Sequence, residues 1–110
     1  MAKCARDCDV VVVDPGDPSE DAIRTIVETV DRRGGRIRAI VLAGPEPDRA
    51  AGAEALAIPL GIPILVAPGA GRHLPYETRE LGDGDALPAD VGLRVRLGSA
   101  GSGRLGVVEV

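Results

Sequence analysis

Two carboxylates in the segment Gly-Pro-Glu-Pro-Asp-Arg, residues 44–49, are the residues of this chain best spaced for chemistry. Glu46 and Asp48 could offer oxygen ligands to a hard cation such as Mg²⁺ or Mn²⁺. Arg49 follows directly, and its permanent charge would repel a metal or pair with a carboxylate. An Arg–Asp pair in a solvated loop is the favoured reading, so Glu46 and Asp48 stand as weak metal candidates only. Asp14, in Asp-Pro-Gly, could be taken for a base, yet Asp before Pro-Gly is ordinary turn chemistry. His73 is the sole histidine and has no cysteine or acidic spacing around it that would complete a ligand set. It also leaves Ser99 and Ser102 without a convincing triad base. Cys4 and Cys8 would need two further ligands to hold zinc, and are read as reduced thiols beside a strand.

The elements that must position these groups follow from apolar patterning. Val10–Val13 is a continuous apolar run, as in a strand covered on both faces. Asp17 is expected to cap a helix, with Pro18 at its first position and Glu20 completing a capping box. The helix stripe is Ile23, Ile26, Val27 and Val30, and Gly34-Gly35 ends it. Residues 37–42 form the second strand, with Ile37, Ala39 and Val41 alternating against Arg36, Arg38 and Ile40. A second helix of small residues spans 49–60, Gly61 stops it, and residues 62–66 make the third strand. This is βαβαβ with parallel strands and right-handed crossovers. Residues 78–81, 91–97 and 105–110 then read as strands without intervening helices, pairing largely antiparallel through turns at 82–85 and 98–103. The Gly-rich turn 98–103 is neither a dinucleotide fingerprint nor a P-loop, since no Lys follows.

With 110 residues the chain is read as one domain, 1–110. An apolar fraction of 45% and a charged fraction of 27% are those of a folded globular protein. A net charge of −4 argues against nucleic acid or an acidic membrane as the main partner. The core must be aliphatic, because Phe and Trp are absent and Tyr76 is the only tyrosine. No apolar run approaches the roughly 20 residues that cross a bilayer, and the first residues carry no secretory h-region. A cytoplasmic location is expected.

Four segments, in this order, resemble the metallo-β-lactamase superfamily of glyoxalase II-like hydrolases. Val10–Gly16 is similar to the family's early strand ending in Asp-x-Gly. Residues 40–52 are similar to the strand that ends in Thr-His-x-His-x-Asp-His before a helix of small residues. Ala43 stands at the Thr, Gly44, Glu46 and Arg49 stand at the three histidines, and Asp48 keeps the Asp. Residues 81–87 look like the hairpin that follows, and residues 97–103 fall where the family has Thr-Pro-Gly-His-Thr-Pro-Gly, with Ala100 at the histidine. Asp14 matches a supporting residue near the site.

The resemblance implies an α/β fold: a mixed sheet with a βαβαβ N-terminal part and antiparallel C-terminal strands, half of an αβ/βα sandwich. Zinc is expected in the family, but the ligand positions here lack the histidines that hold it, so no cofactor is expected. The implied function is a catalytically inactive metallo-hydrolase-like module with a structural or protein-interaction role. The alternative is a metal-dependent hydrolase of ester or thioester substrates with an unusual or partner-completed site. The helices can cover only one sheet face, so a homodimer or a partner protein is expected on the other.

Overall fold

A computed structural model describes residues 8–44, 47–72, 74–89, 93–98 and 104–109. The elements are β1 (Cys8–Val13), α1 (Glu20–Arg32), β2 (Gly35–Val41), α2 (Pro47–Leu60), β3 (Ile64–Val66), β4 (Arg79–Glu80), β5 (Leu93–Leu97) and β6 (Leu105–Glu109). The first four strands form one sheet in the order β1-β2-β3-β4, and β5 pairs with β6 in a separate sheet. All three ladders of the larger sheet are parallel, while β5 and β6 are antiparallel. The fold is therefore mixed α/β, with βαβαβ followed by a short parallel strand and an antiparallel pair. Among the described residues no helix is long and apolar enough to cross a membrane. The short strand β4 corrects the sequence expectation of antiparallel pairing after β3. Leu74 and Tyr76, in the connection leading to it, pack on the helix side of the sheet. The connection thus acts as a third crossover on that same face, which brings β4 in parallel.

The two faces of the sheet bury separate clusters. On one side Ile40, Leu42, Ile64 and Val66 pack with Ala53, Leu56 and Ala57 of α2, joined by half-buried Ile23, Ile26 and Val27 of α1. On the other, Ala39, Val41 and Leu65 meet Leu81, Leu87, Val95 and Leu105. The face expected to be bare is thus covered along β2 and β3 by the chain's own β5–β6 hairpin. At β1 coverage is incomplete, and Val13 remains 43% exposed.

Three local expectations change. The cap of α1 is Ser19, whose Oγ accepts from the Ala22 N–H, and Asp17 lies further out, accepting from the Ser19 N–H at 2.8 Å. Pro18 accordingly precedes the helix. The regular alternation read for β2 is broken, because Val10 pairs with Ile37 but Val11 with Ala39. Arg38 is the extra residue of a β-bulge, which shifts the phase so that Ile37 serves the helix side and Ala39 the hairpin side. Cys8 is disulfide-bonded, which corrects the reduced-thiol reading. Cys4 lies outside the described residues.

Helix α2 begins at Pro47, two residues earlier than the sequence suggested, with proline at a position whose N–H a helix does not need. It ends in a Schellman cap, with Ile62 N–H donating to Ala57 O and Gly61 N–H to Ile58 O. Gly61 itself adopts φ +64°, the left-handed conformation this cap requires. Gly52 in mid-helix has a different cause. A Cβ there would collide with the Gly16 carbonyl group, so glycine alone lets α2 lie against the turn after β1. Gly52→Ala should therefore cost about 1–3 kcal/mol or more, as overpacking against backbone does. Urea unfolding checks this, with Gly106→Ala, where an added Cβ meets nothing within 4 Å, as the comparison.

Candidate functional site

Because the sheet is parallel, the loops after β1, β2 and β3 gather on one rim, the usual place for chemistry in open α/β folds. Asp14 leaves β1 with φ 47°, a left-handed conformation uncommon for a non-glycine residue. Its backbone N–H donates to Val41 O at 2.9 Å, and its Oδ1 accepts from the Ala43 N–H at 3.0 Å. The Ala43 carbonyl in turn accepts from the Leu105 N–H at 2.9 Å. One residue's backbone thus joins the ends of β1 and β2 to the start of β6. Asp14 is a structural acceptor for the rim.

Gly44 follows, buried and without a side chain to offer. Asp48 and Arg49 fall in the first turn of α2. Glu46, His73 and Ala100 lie outside the described residues, as do Ser99 and Ser102. The described donor set does not fit zinc. No group of three His, Cys, Asp or Glu side chains converges among the described residues, and the Asp14 carboxylate is engaged with backbone.

The third loop of the rim is fixed by contacts the sequence did not announce. Glu80 on β4 accepts from the Gly69 N–H at 2.6 Å, and Tyr76 donates to the Ala50 carbonyl at 2.9 Å in the first turns of α2. Burial, and secondarily the nearby Glu54 carboxylate, push the Tyr76 phenol above its ordinary pKa, so it remains a donor at any neutral pH. The single tyrosine in an otherwise aliphatic chain could have flagged this position, since a buried phenol needs a polar partner. Gly52 could have been flagged too, because glycine in an alanine-rich helix costs about 1 kcal/mol unless packing requires it. A turn forms at 82–85, with Asp85 accepting from the Gly82 N–H at 2.7 Å and Asp83 from the Leu97 N–H at 2.9 Å, but it is not the hairpin turn expected, since β4 and β5 belong to different sheets.

Among solved structures, the chain is similar in fold to the metallo-β-lactamase SMB-1 bound to 2-mercaptoethanesulfonate, with a TM-score of 0.54 at 14% identity. The match covers 90% of this chain and 52% of that one, so this chain spans about half the length of that protein. At this identity the likeness concerns the fold, and it supports the reading of this chain as half of a metallo-β-lactamase-like architecture. No family model and no curated protein matches the sequence.

The Asp14 clamp gives a direct test. Asp14→Ala should lose about 1.5–3 kcal/mol, the value of a hydrogen bond to a charged acceptor, with backbone strain added. Asp14→Asn keeps an acceptor and tolerates the left-handed conformation, so it should retain most of the stability. Chemical denaturation of the two variants separates them.

Proposed function

We propose that this chain is a catalytically inactive metallo-β-lactamase-like module with a structural or protein-interaction role. The observation that carries the proposal is the identity of the residues at the matched sequence positions. Gly44, Glu46, Arg49 and Ala100 occupy the positions matched to metal-binding histidines, and one histidine serves the whole chain. Zinc sites draw on several imidazoles or thiolates, and a hydrolase of this class needs the metal to activate water. A fold held by backbone clamps at its rim needs no metal to persist. The alternative, a metal-dependent hydrolase of ester or thioester substrates, draws support from Glu46 and Asp48, two carboxylates that could offer oxygen ligands to a hard cation. It would require ligands from elsewhere, such as a partner chain. Protein purified without chelators and then dialysed should carry far less than one zinc per chain, and should not turn over a chromogenic lactam or a thioester. Near-stoichiometric zinc, with turnover lost in Asp48→Ala, would favour the hydrolase.

The partner we infer is a second copy of this chain, docked along β1. Among the described residues β1 pairs only with β2, so it forms an edge of the sheet, with half-buried valines behind it. The hairpin packs on the rest of that face, which favours this strand as the contact surface. The disulfide at Cys8 fits an oxidising compartment better than the reducing cytoplasm expected from the sequence. Light scattering should give twice the 11.3 kDa chain mass for the native protein, and the single-chain mass for Val13→Lys. An 11.3 kDa species for the native protein at micromolar concentration would overturn the dimer.

A further inference from the structure

At the opposite end of the strands from the rim lies an open groove of about 860 Å³. Its apolar wall is built from Val27 and Val30 of α1, Ile37 of β2, and Leu60, Ile62 and Pro63 around the end of α2. Arg36, Arg38 and Arg79 also line it, with Asp31 as the one acidic residue. Arg36 and Arg38, two residues apart on β2, reach the same carboxylate: the Nε atoms of both lie 3.8 Å from Asp9 Oδ1. Both side chains remain about half exposed, at 57% and 49%. A guanidinium has five N–H donors in a planar fork, so a single loose contact through Nε leaves most of that capacity available.

We propose that this groove binds a small amphipathic monoanion, a carboxylate carrying an aliphatic chain. Three arginines set against Asp9 and Asp31 leave an excess of one positive charge. The C-terminal ends of α1 and α2 also face the groove and carry partial negative charge, which disfavours a dianion such as phosphate or a polyanion such as nucleic acid. A single carboxylate matches the excess and the forked donors. The apolar wall accounts for the tail. Leu60, on that wall, is 41% exposed. The volume falls within the range of small-molecule sites. The groove lies away from the rim residues, so this proposal stands apart from the question of catalysis.

Amide NMR of the intact chain, titrated with hexanoate, tests it. Saturable shifts should appear at Gly35, Ile37, Gly61 and Ile62, and added salt should weaken them. Acetate lacks the tail, hexan-1-ol lacks the charge and inorganic phosphate has the wrong charge; each should bind about tenfold more weakly or worse. Arg38→Gln and Arg79→Gln should each weaken hexanoate about tenfold, the loss of one charge-assisted contact. Both replace exposed side chains, and unshifted amides in the rim would show that the fold is intact. Absent shifts at millimolar hexanoate, equal binding of hexan-1-ol, or full affinity in the double variant would each overturn the proposal.

Discussion

The backbone of Ala43 is where the molecule is tied together. A parallel sheet ends each strand in a loop, and the last polar groups of a buried strand must still be satisfied. Just past β2 the N–H goes to the Asp14 carboxylate and the carbonyl goes to the Leu105 N–H. These two bonds join three elements that lie far apart along the chain, the first at Asp14 and the last at Leu105. Gly52 adds the layer above, because the approach of α2 to Gly16 brings the helix down on the same corner. Hairpin, sheet and helix therefore share one anchor.

Around that anchor the core divides in two, and the lack of Phe and Trp shapes how each part is filled. Ala39, Ala53, Ala57 and Ala67 let backbones come close, while Ile40, Leu56, Val41 and Val66 fill the gaps and are fully buried. Each large aliphatic side chain contributes roughly 1.5–3 kcal/mol on burial. Such a core gains from close approach what it lacks in side-chain bulk. It also explains why a hairpin of two five-residue strands suffices to cover β2 and β3. The shortfall appears at β1, whose valines stay half-buried.

Much of the fold was legible in the sequence because its signals were local. The stripe Ile23, Ile26 and Val27, the run Val10–Val13 and the stop at Gly61 each rest on spacing that a few neighbouring residues determine. The direction of β4 was not legible, since it depends on the face over which residues 67–78 cross. Nor was the bulge at Arg38, because Arg-Ile-Arg-Ala reads as clean alternation until β1 is laid beside it. At the rim, the turn chemistry of Asp14 was visible in Asp-Pro-Gly, but its acceptor role toward Ala43, 29 residues away, belongs to tertiary structure. Ser19 rather than Asp17 caps α1 because two nearby cap-forming residues compete, and the one next to the helix lies within reach of Ala22.

The bulge bears on which changes of chain length this fold can absorb. Side chains in a strand alternate, so removing one residue from β2 would turn every following side chain to the wrong face. Arg38 is the exception. With it excised, Ile37 would be followed directly by Ala39, and the pairs Val10–Ile37 and Val11–Ala39 would become consecutive rungs of an unbroken ladder. All the inward-facing residues from Ala39 to Val41 would keep their clusters. Length variation in the second strand of this sheet thus has one permitted position, marked by an arginine that the ladder skips.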